Sequence, residues 1–133
     1  MKLSNSYIGL PEEFFESINP TPVKSPSLLA FNDDLAATLK INLSDEEKVD
    51  FFSGNKVPSD STPIALNYSG HQFGNFVHQL GDGRAVLLGE IRDKKNTVDV
   101  QLKGSGPTMY SRQGDGRSAL GPVSYTHLTL PTR

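Results

Sequence analysis

Two strand-like stretches separated by a short polar reversal constrain the fold of this chain more than any other feature. Ala85 to Ile91 is a short apolar run, read as a strand. After Asp93-Lys94-Lys95-Asn96, Val98, Val100 and Leu102 alternate with Asp99, Gln101 and Lys103. That period of two belongs to a strand with one face buried. The pair predicts a β-hairpin entered through the turn Gly81-Asp82-Gly83-Arg84 and left through Lys103. Gly104-Ser105-Gly106-Pro107 cannot prolong the second strand, and Gly114-Asp115-Gly116-Arg117 then repeats the Gly-Asp-Gly-Arg tetrapeptide.

Around this hairpin the chain divides into three parts. Residues 1–63 read as a Pro-containing wrapping segment with short helices. Pro11 can open one through Glu12-Glu13-Phe14-Phe15, Asn32 can cap another over Asp33 to Lys40, and Pro20, Pro22 and Pro26 force extended backbone between them. Ser44-Asp45-Glu46-Glu47 has capping-box spacing, so a third helix should run to Ser53 and stop at Gly54. Residues 64–120 carry the hairpin and the motifs. Here Phe73, Phe76, Val77 and Leu80 recur at i, i+3, i+4 and i+7, which predicts a helix ended by Gly81-Asp82-Gly83. Residues 121–133 match neither neighbour.

Composition narrows the function classes. At 133 residues and 35% hydrophobic, the chain is one domain's worth, too apolar for a disordered tail. No apolar run is long enough to span a bilayer, and Met1-Lys2-Leu3-Ser4-Asn5 opens neither a signal nor a transit peptide, so the expectation is a soluble cytoplasmic protein without a membrane role. The absence of cysteine excludes a disulfide scaffold, a thiolate zinc site and a Cys nucleophile within this chain. Charge is unevenly placed: ten Asp/Glu face five Lys before Asn67, whereas five Asp/Glu face three Lys and five Arg from Asn67 onward. That later excess is too small to predict a nucleic-acid partner.

Ten of the twelve glycines fall between Gly70 and Gly121, the window that also holds four of the five arginines. Glycine lets backbone approach a ligand closely, and arginine offers forked contacts to phosphate. A glycine turn can expose amides to an anion, a strand-end lysine can reach the same place, and Arg84 and Arg117 can add bidentate contacts. No Walker motif or dinucleotide fingerprint is present. Other residues read more plainly. His71 and His78, seven apart, lack a third ligand of matching spacing and read as structural. Phe73 and Phe76 read as core rather than stacking platforms, Asp82 as a turn or cap residue with a metal ligand as the alternative, and Tyr110 and Ser111 as loop residues with self-modification as the alternative. By pattern alone Lys103 is an exposed strand end.

Tyr68-Ser69-Gly70-His71-Gln72-Phe73-Gly74, Gln79-Leu80-Gly81-Asp82-Gly83-Arg84-Ala85, Leu88-Gly89-Glu90, Gln101-Leu102-Lys103-Gly104-Ser105-Gly106-Pro107-Thr108, Tyr110-Ser111-Arg112 and Asp115-Gly116-Arg117 occur in order. Together these blocks closely resemble the selenoprotein O family, which includes the bacterial YdiU proteins, from about Pro63 to Leu120 and more loosely before. The resemblance implies an α+β fold: a partial N-lobe of a protein-kinase-like domain, an antiparallel hairpin flanked by short helices. It implies a protein adenylyltransferase that moves AMP from ATP to Ser, Thr or Tyr hydroxyls of protein substrates and releases pyrophosphate. A kinase-like phosphotransferase and a non-catalytic nucleotide- or protein-binding module are the alternatives. By motif, Gly81, Gly83 and Arg84 would form the nucleotide-covering turn, Lys103 would meet the phosphates, and Asp115 and Gly116 would complete the contacts.

The family's catalytic Asp and its Mg²⁺ ligands have no counterparts among these residues, so the resemblance implies an N-terminal fragment that is inactive alone. The pattern departs at Met109 and Gly114, and breaks after Ala119-Leu120. There Gly121-Pro122 replaces the expected helix. The tail 121–133 reads as non-native, similar to translated adapter sequence.

Overall fold

The structure, a computed structural model, describes residues 2–92 and 96–118; the expectations for the tail 121–133 lie outside them. Among the described residues six strands form in chain order: β1 (Phe15–Ser17), β2 (Ile64–Leu66), β3 (Gly70–Gln72), β4 (Asn75–Val77), β5 (Ala85–Arg92) and β6 (Thr97–Lys103). A four-stranded antiparallel sheet runs β1-β2-β5-β6, and β3-β4 is a separate two-stranded ribbon. Two helices, α1 (Asp33–Thr38) and α2 (Asp45–Ser53), complete a mixed α+β architecture. No helix among the described residues is long and apolar enough to cross a membrane.

The expected hairpin is the centre of the sheet. Ala85 pairs with Lys103 and Leu87 with Gln101, but beyond Leu87 the register shifts, so that Gly89 pairs with Val100 and Ile91 with Val98. The extra residue is a β-bulge, which changes the phase of side-chain alternation. Val86 before it, the bulged Leu88 and Ile91 beyond it all join Leu3, Phe51 and Leu102 in the core cluster. On the other side of β5, Leu87 opposes Ile64, and both are fully buried. Burial of both sides explains why this strand reads as an apolar run while β6 alternates.

The helices begin where their caps place them. Asn32 Oδ1 accepts from the Leu35 amide at 2.9 Å, although α1 ends at Thr38, short of the expected Lys40. Ser44 and Glu47 form a complete capping box at 3.2 and 2.8 Å, and Gly54 closes α2 at φ 79°. Phe51 on α2 brings the helical layer onto the sheet. Pro11 opens only a 3-10 turn, Glu12–Phe14, because the chain is drawn into β1 at Phe15.

The helix expected over 73–80 does not form. Phe73 and Gly74 have φ of 52° and 80° and make a two-residue reversal between β3 and β4. Left-handed conformation at both central positions matches the twist of a tight hairpin, and glycine supplies it readily at the second. A helix there would also need a surface for its apolar stripe. Phe73 is instead 96% exposed and Phe76 53%, so neither is core. His71 and His78 flank the Phe76 ring, with centroids 5.5 and 4.9 Å away, rather than sharing a helical face.

The N-terminal residues lie along β5 beside the bulge. Ser4 and Glu90 exchange backbone hydrogen bonds of 3.0 and 2.5 Å, and a Cβ at Gly89 would stand 2.7 Å from the Ser4 carbonyl. The Glu90 side chain, 5% exposed, accepts from the Ser6 amide at 2.8 Å, the Ser6 hydroxyl at 2.7 Å and Arg92 at 3.1 Å. The Ser6 hydroxyl bond, the Ser6 amide and Arg92 outweigh burial and hold this carboxyl below its ordinary value of 4.5. A lowered pKa means that the folded state binds this proton less tightly than the unfolded chain. Its stabilisation is therefore present above about pH 4.5 and is lost as pH falls through the folded value. In acid titrations followed by circular dichroism, Glu90→Gln should flatten the loss of stability below pH 4.5; an unchanged acid limb would contradict this assignment.

Candidate nucleotide site

The residues singled out by sequence gather at one end of the central hairpin. The turn Gly81–Gly83 enters β5, and the Gly104 amide donates to the Arg84 carbonyl at 2.6 Å, tying the exit of β6 to the entrance of β5. Lys103 therefore stands beside the turn in the chain's pairing, opposite Ala85. Lys103 and Arg84 are exposed. Neither side chain has a hydrogen bond or ion pair among the described residues.

Asp82 fastens the turn to the sheet. Its Oδ2 accepts from the Leu66 amide at 3.3 Å and from Gln101 Nε2 at 3.1 Å, while its own amide donates to the Leu66 carbonyl at 2.9 Å. Burial pushes its carboxyl above the ordinary value, against the smaller opposing effects of the Leu66 amide and the Lys103 charge. Asp82 is thus a turn residue, as its type suggested. Its bridge to Gln101 had no signal in the sequence beyond the alternation that sets Gln101 and Lys103 on one face of β6.

The turn does not present the expected row of open amides. Asp82 N–H is spent on Leu66, and Gly83 N–H donates to the Gly81 carbonyl at 2.9 Å. Its glycines serve close packing. A Cβ on Gly81 would run into the Tyr110 ring, and one on Gly83 would lie 2.7 Å from the Tyr110 carbonyl. The segment pressing on the turn is the 3-10 turn Met109–Ser111, capped by Thr108. Tyr110 lies between two shallow grooves, one walled by Tyr68, Gln79 and Arg112, the other by Phe15, Glu16 and Met109.

The second Gly-Asp-Gly-Arg copy adopts a different conformation. Gly116 is buried at φ 69° with its carbonyl accepting from the Gly106 amide at 3.2 Å, whereas Gly83 has no positive φ. Asp115 Oδ1 accepts from the Arg117 amide at 2.9 Å, an Asx turn. The Arg117 guanidinium forks between the Gly104 and Thr21 carbonyls at 3.3 and 3.4 Å. It does so in place of the outward bidentate role expected for it. Pairing of Ala85 with Lys103, the Gly104–Arg84 bond and the Gly106–Gly116 bond bring Gly81, Gly83, Arg84, Lys103 and Gly116 to one end of the sheet; Asp115, beside Gly116 in the chain, is exposed.

Among the described residues no group of three His, Cys, Asp or Glu side chains is placed to hold a metal ion. These residues do not fit Mg²⁺ on their own, and no chemical step is assigned through it here. What the site offers is two exposed cations, without a hydrogen bond or ion pair among the described residues, beside a glycine-packed turn, an arrangement suited to an anionic ligand.

Comparison with known proteins bears on the family of the chain. Residues 1–123 match the family described as Protein adenylyltransferase SelO. The chain is 57% identical over 127 residues to the Protein nucleotidyltransferase YdiU of Agrobacterium fabrum, covering 92% of this chain and 26% of that protein. It is 56% identical over 126 residues to the YdiU protein of Maridesulfovibrio salexigens, with the same coverages. Against that of Roseobacter denitrificans it is 57% identical over 122 residues, covering 90% and 26%. The chain thus spans about a quarter of the length of these curated relatives. With the match extending from the first residue through both glycine turns and Lys103, the chain belongs to the SelO family of protein nucleotidyltransferases.

Proposed function

We propose that this chain is the nucleotide-holding part of a protein adenylyltransferase, built as a partial kinase-like N-lobe. The observation that carries the proposal is the placement of Lys103 and Arg84, two exposed cations without a hydrogen bond or ion pair among the described residues, at the end of the β5-β6 hairpin where Ala85 pairs with Lys103. In this reading both cations meet the phosphates of ATP, the turn at Gly81 and Gly83 sets their spacing, and Asp115 and Gly116 border the nucleotide. A Ser, Thr or Tyr hydroxyl of a protein substrate attacks the α-phosphorus. A new P–O bond forms, the bond to the β-phosphate oxygen breaks, and pyrophosphate leaves. The hydroxyl proton passes to a base outside this chain. This segment's share is electrostatic: the two cations offset the negative charge of the polyphosphate as it shifts toward the leaving group.

The deciding experiment uses a full-length protein bearing this segment, given α-labelled or γ-labelled ATP with a protein substrate. Label from the α-position alone should reach the substrate. Transfer of the γ-label would replace this reading with an ordinary phosphotransferase. The tight internal packing of the glycines favours one further reading, a non-catalytic module in which the turns serve only the fold. An ATP-induced rise in melting temperature at millimolar nucleotide and Mg²⁺ argues against it; no shift would favour it.

A further inference from the structure

We propose that the hydroxyls of Thr108 and Ser111 are positioning groups for the nucleotide turn, acting on ATP affinity through the carbonyls of Asp82 and Gly83. The inference rests on the proposed function and adds residues to it. Thr108 Oγ1 donates to the Asp82 carbonyl at 2.7 Å, and Ser111 Oγ donates to the Gly83 carbonyl at 2.5 Å. Successive peptide units of the turn are therefore held from one side by two hydroxyls only three residues apart.

A hydroxyl has one proton to give and two lone pairs to receive. Both lone-pair roles are used locally. Ser111 Oγ accepts from the Thr108 amide at 2.7 Å, and Thr108 Oγ1 accepts from the Tyr110 amide at 3.1 Å. These bonds form the capping box of the 3-10 turn. Once it closes, each hydroxyl has its proton left for the glycine turn alone. Tyr110, between the two, lays its ring over Gly81 and its carbonyl against Gly83. Met109 N–H donates to Glu16 Oε2 at 2.8 Å, which ties the cap to β1 as well.

The consequence for the site follows from peptide planarity. Fixing the Asp82 and Gly83 carbonyls fixes the planes that contain the Gly83 and Arg84 amides. The direction in which the chain leaves the turn at Arg84, and hence where its guanidinium starts, is set by the hydroxyls together with the Gly104 amide on the Arg84 carbonyl. Two glycines in three residues would otherwise sample many orientations, and ordering them on binding would weaken the complex. Thr108 is buried although polar, and its capping role alone would not require its proton to point at Asp82.

The test compares steady-state kinetics of the full-length protein carrying Ser111→Ala, Thr108→Val or Thr108→Ser. Removing either hydroxyl should raise KM for ATP about tenfold with a much smaller change in kcat, the expected size for one lost hydrogen bond. Thr108→Ser, which keeps the hydroxyl, should restore KM to near its starting value. A lowered melting temperature with KM unchanged in both Ser111→Ala and Thr108→Val would overturn the inference, because a merely structural cap reduces the amount of folded enzyme and leaves ATP affinity alone. Should Thr108→Val fail to fold, Ser111→Ala decides by itself. Full transfer retained in Lys103→Ala would instead remove the nucleotide reading itself, so the two failures are distinct.

Discussion

Replacing Lys103 by Ala in a full-length protein bearing this segment is expected to lower AMP transfer by about 10²- to 10³-fold, with no loss of melting temperature. The size follows from removing one cationic donor from the charge that develops on the transferring phosphate. The unchanged stability follows from exposure: the Lys103 ammonium has no hydrogen bond or ion pair among the described residues. Lys103→Arg should recover only part of the loss, since a planar fork does not replace a compact charge at the end of a strand. Measuring transfer of α-labelled AMP beside a thermal melt checks both halves. A variant that transfers normally would remove Lys103 from the site, and one that melts early would show that the side chain holds the fold.

The opposite profile is expected of Gly116→Ala. Gly116 is buried at φ 69°, and a Cβ there would fall onto the Gly106 carbonyl and the Pro107 nitrogen. Backbone atoms cannot swing aside as a long side chain can, so relief requires parting the 104–106 and 114–117 loops. Overlap and left-handed strain together should cost about 3 kcal/mol or more, in the range of severe core substitutions. Parting the loops would also loosen Arg117 from the Gly104 and Thr21 carbonyls. A fall of several degrees in melting temperature is therefore expected even without nucleotide. If Gly116→Ala melts normally but binds ATP poorly, the residue touches the nucleotide without holding the loops.

These two residues show how differently elements of one motif string can be read. Lys103 and Gly116 both belong to blocks that resemble the family, yet their surroundings separate an exposed cation from a packing lock. Spacing along the chain carries no information about which neighbour fills the space over a glycine. Arg117 makes the same point: the sequence offered a basic side chain after a glycine turn, and the fold supplied two carbonyls that engage it.

Local signals survived where a few adjacent residues carry the whole interaction. The capping box at Ser44 and Glu47, the Asn32 cap and the Gly54 stop are satisfied within one turn of chain, so short-range chemistry settles them. The β5-β6 pairing was legible because a short reversal leaves little freedom in how two apolar strands meet. The bulge at Leu88 was not read, although the neighbouring Gly89, at φ 145°, is the kind of strand glycine that marks one.

The segment from Phe73 to Leu80 failed for a physical reason. Apolar residues at helical spacing form a helix only when a surface is present to cover their stripe, and none is offered there. The Phe73-Gly74 reversal needs no such surface, so the ribbon prevails. Strand alternation, helix caps and family membership were thus written into neighbouring residues and ordered blocks. The roles of Thr108, Ser111, Arg117 and the paired glycines arise from contacts between loops distant in the chain, and packing of those loops alone establishes which groups are occupied and which remain available to a ligand.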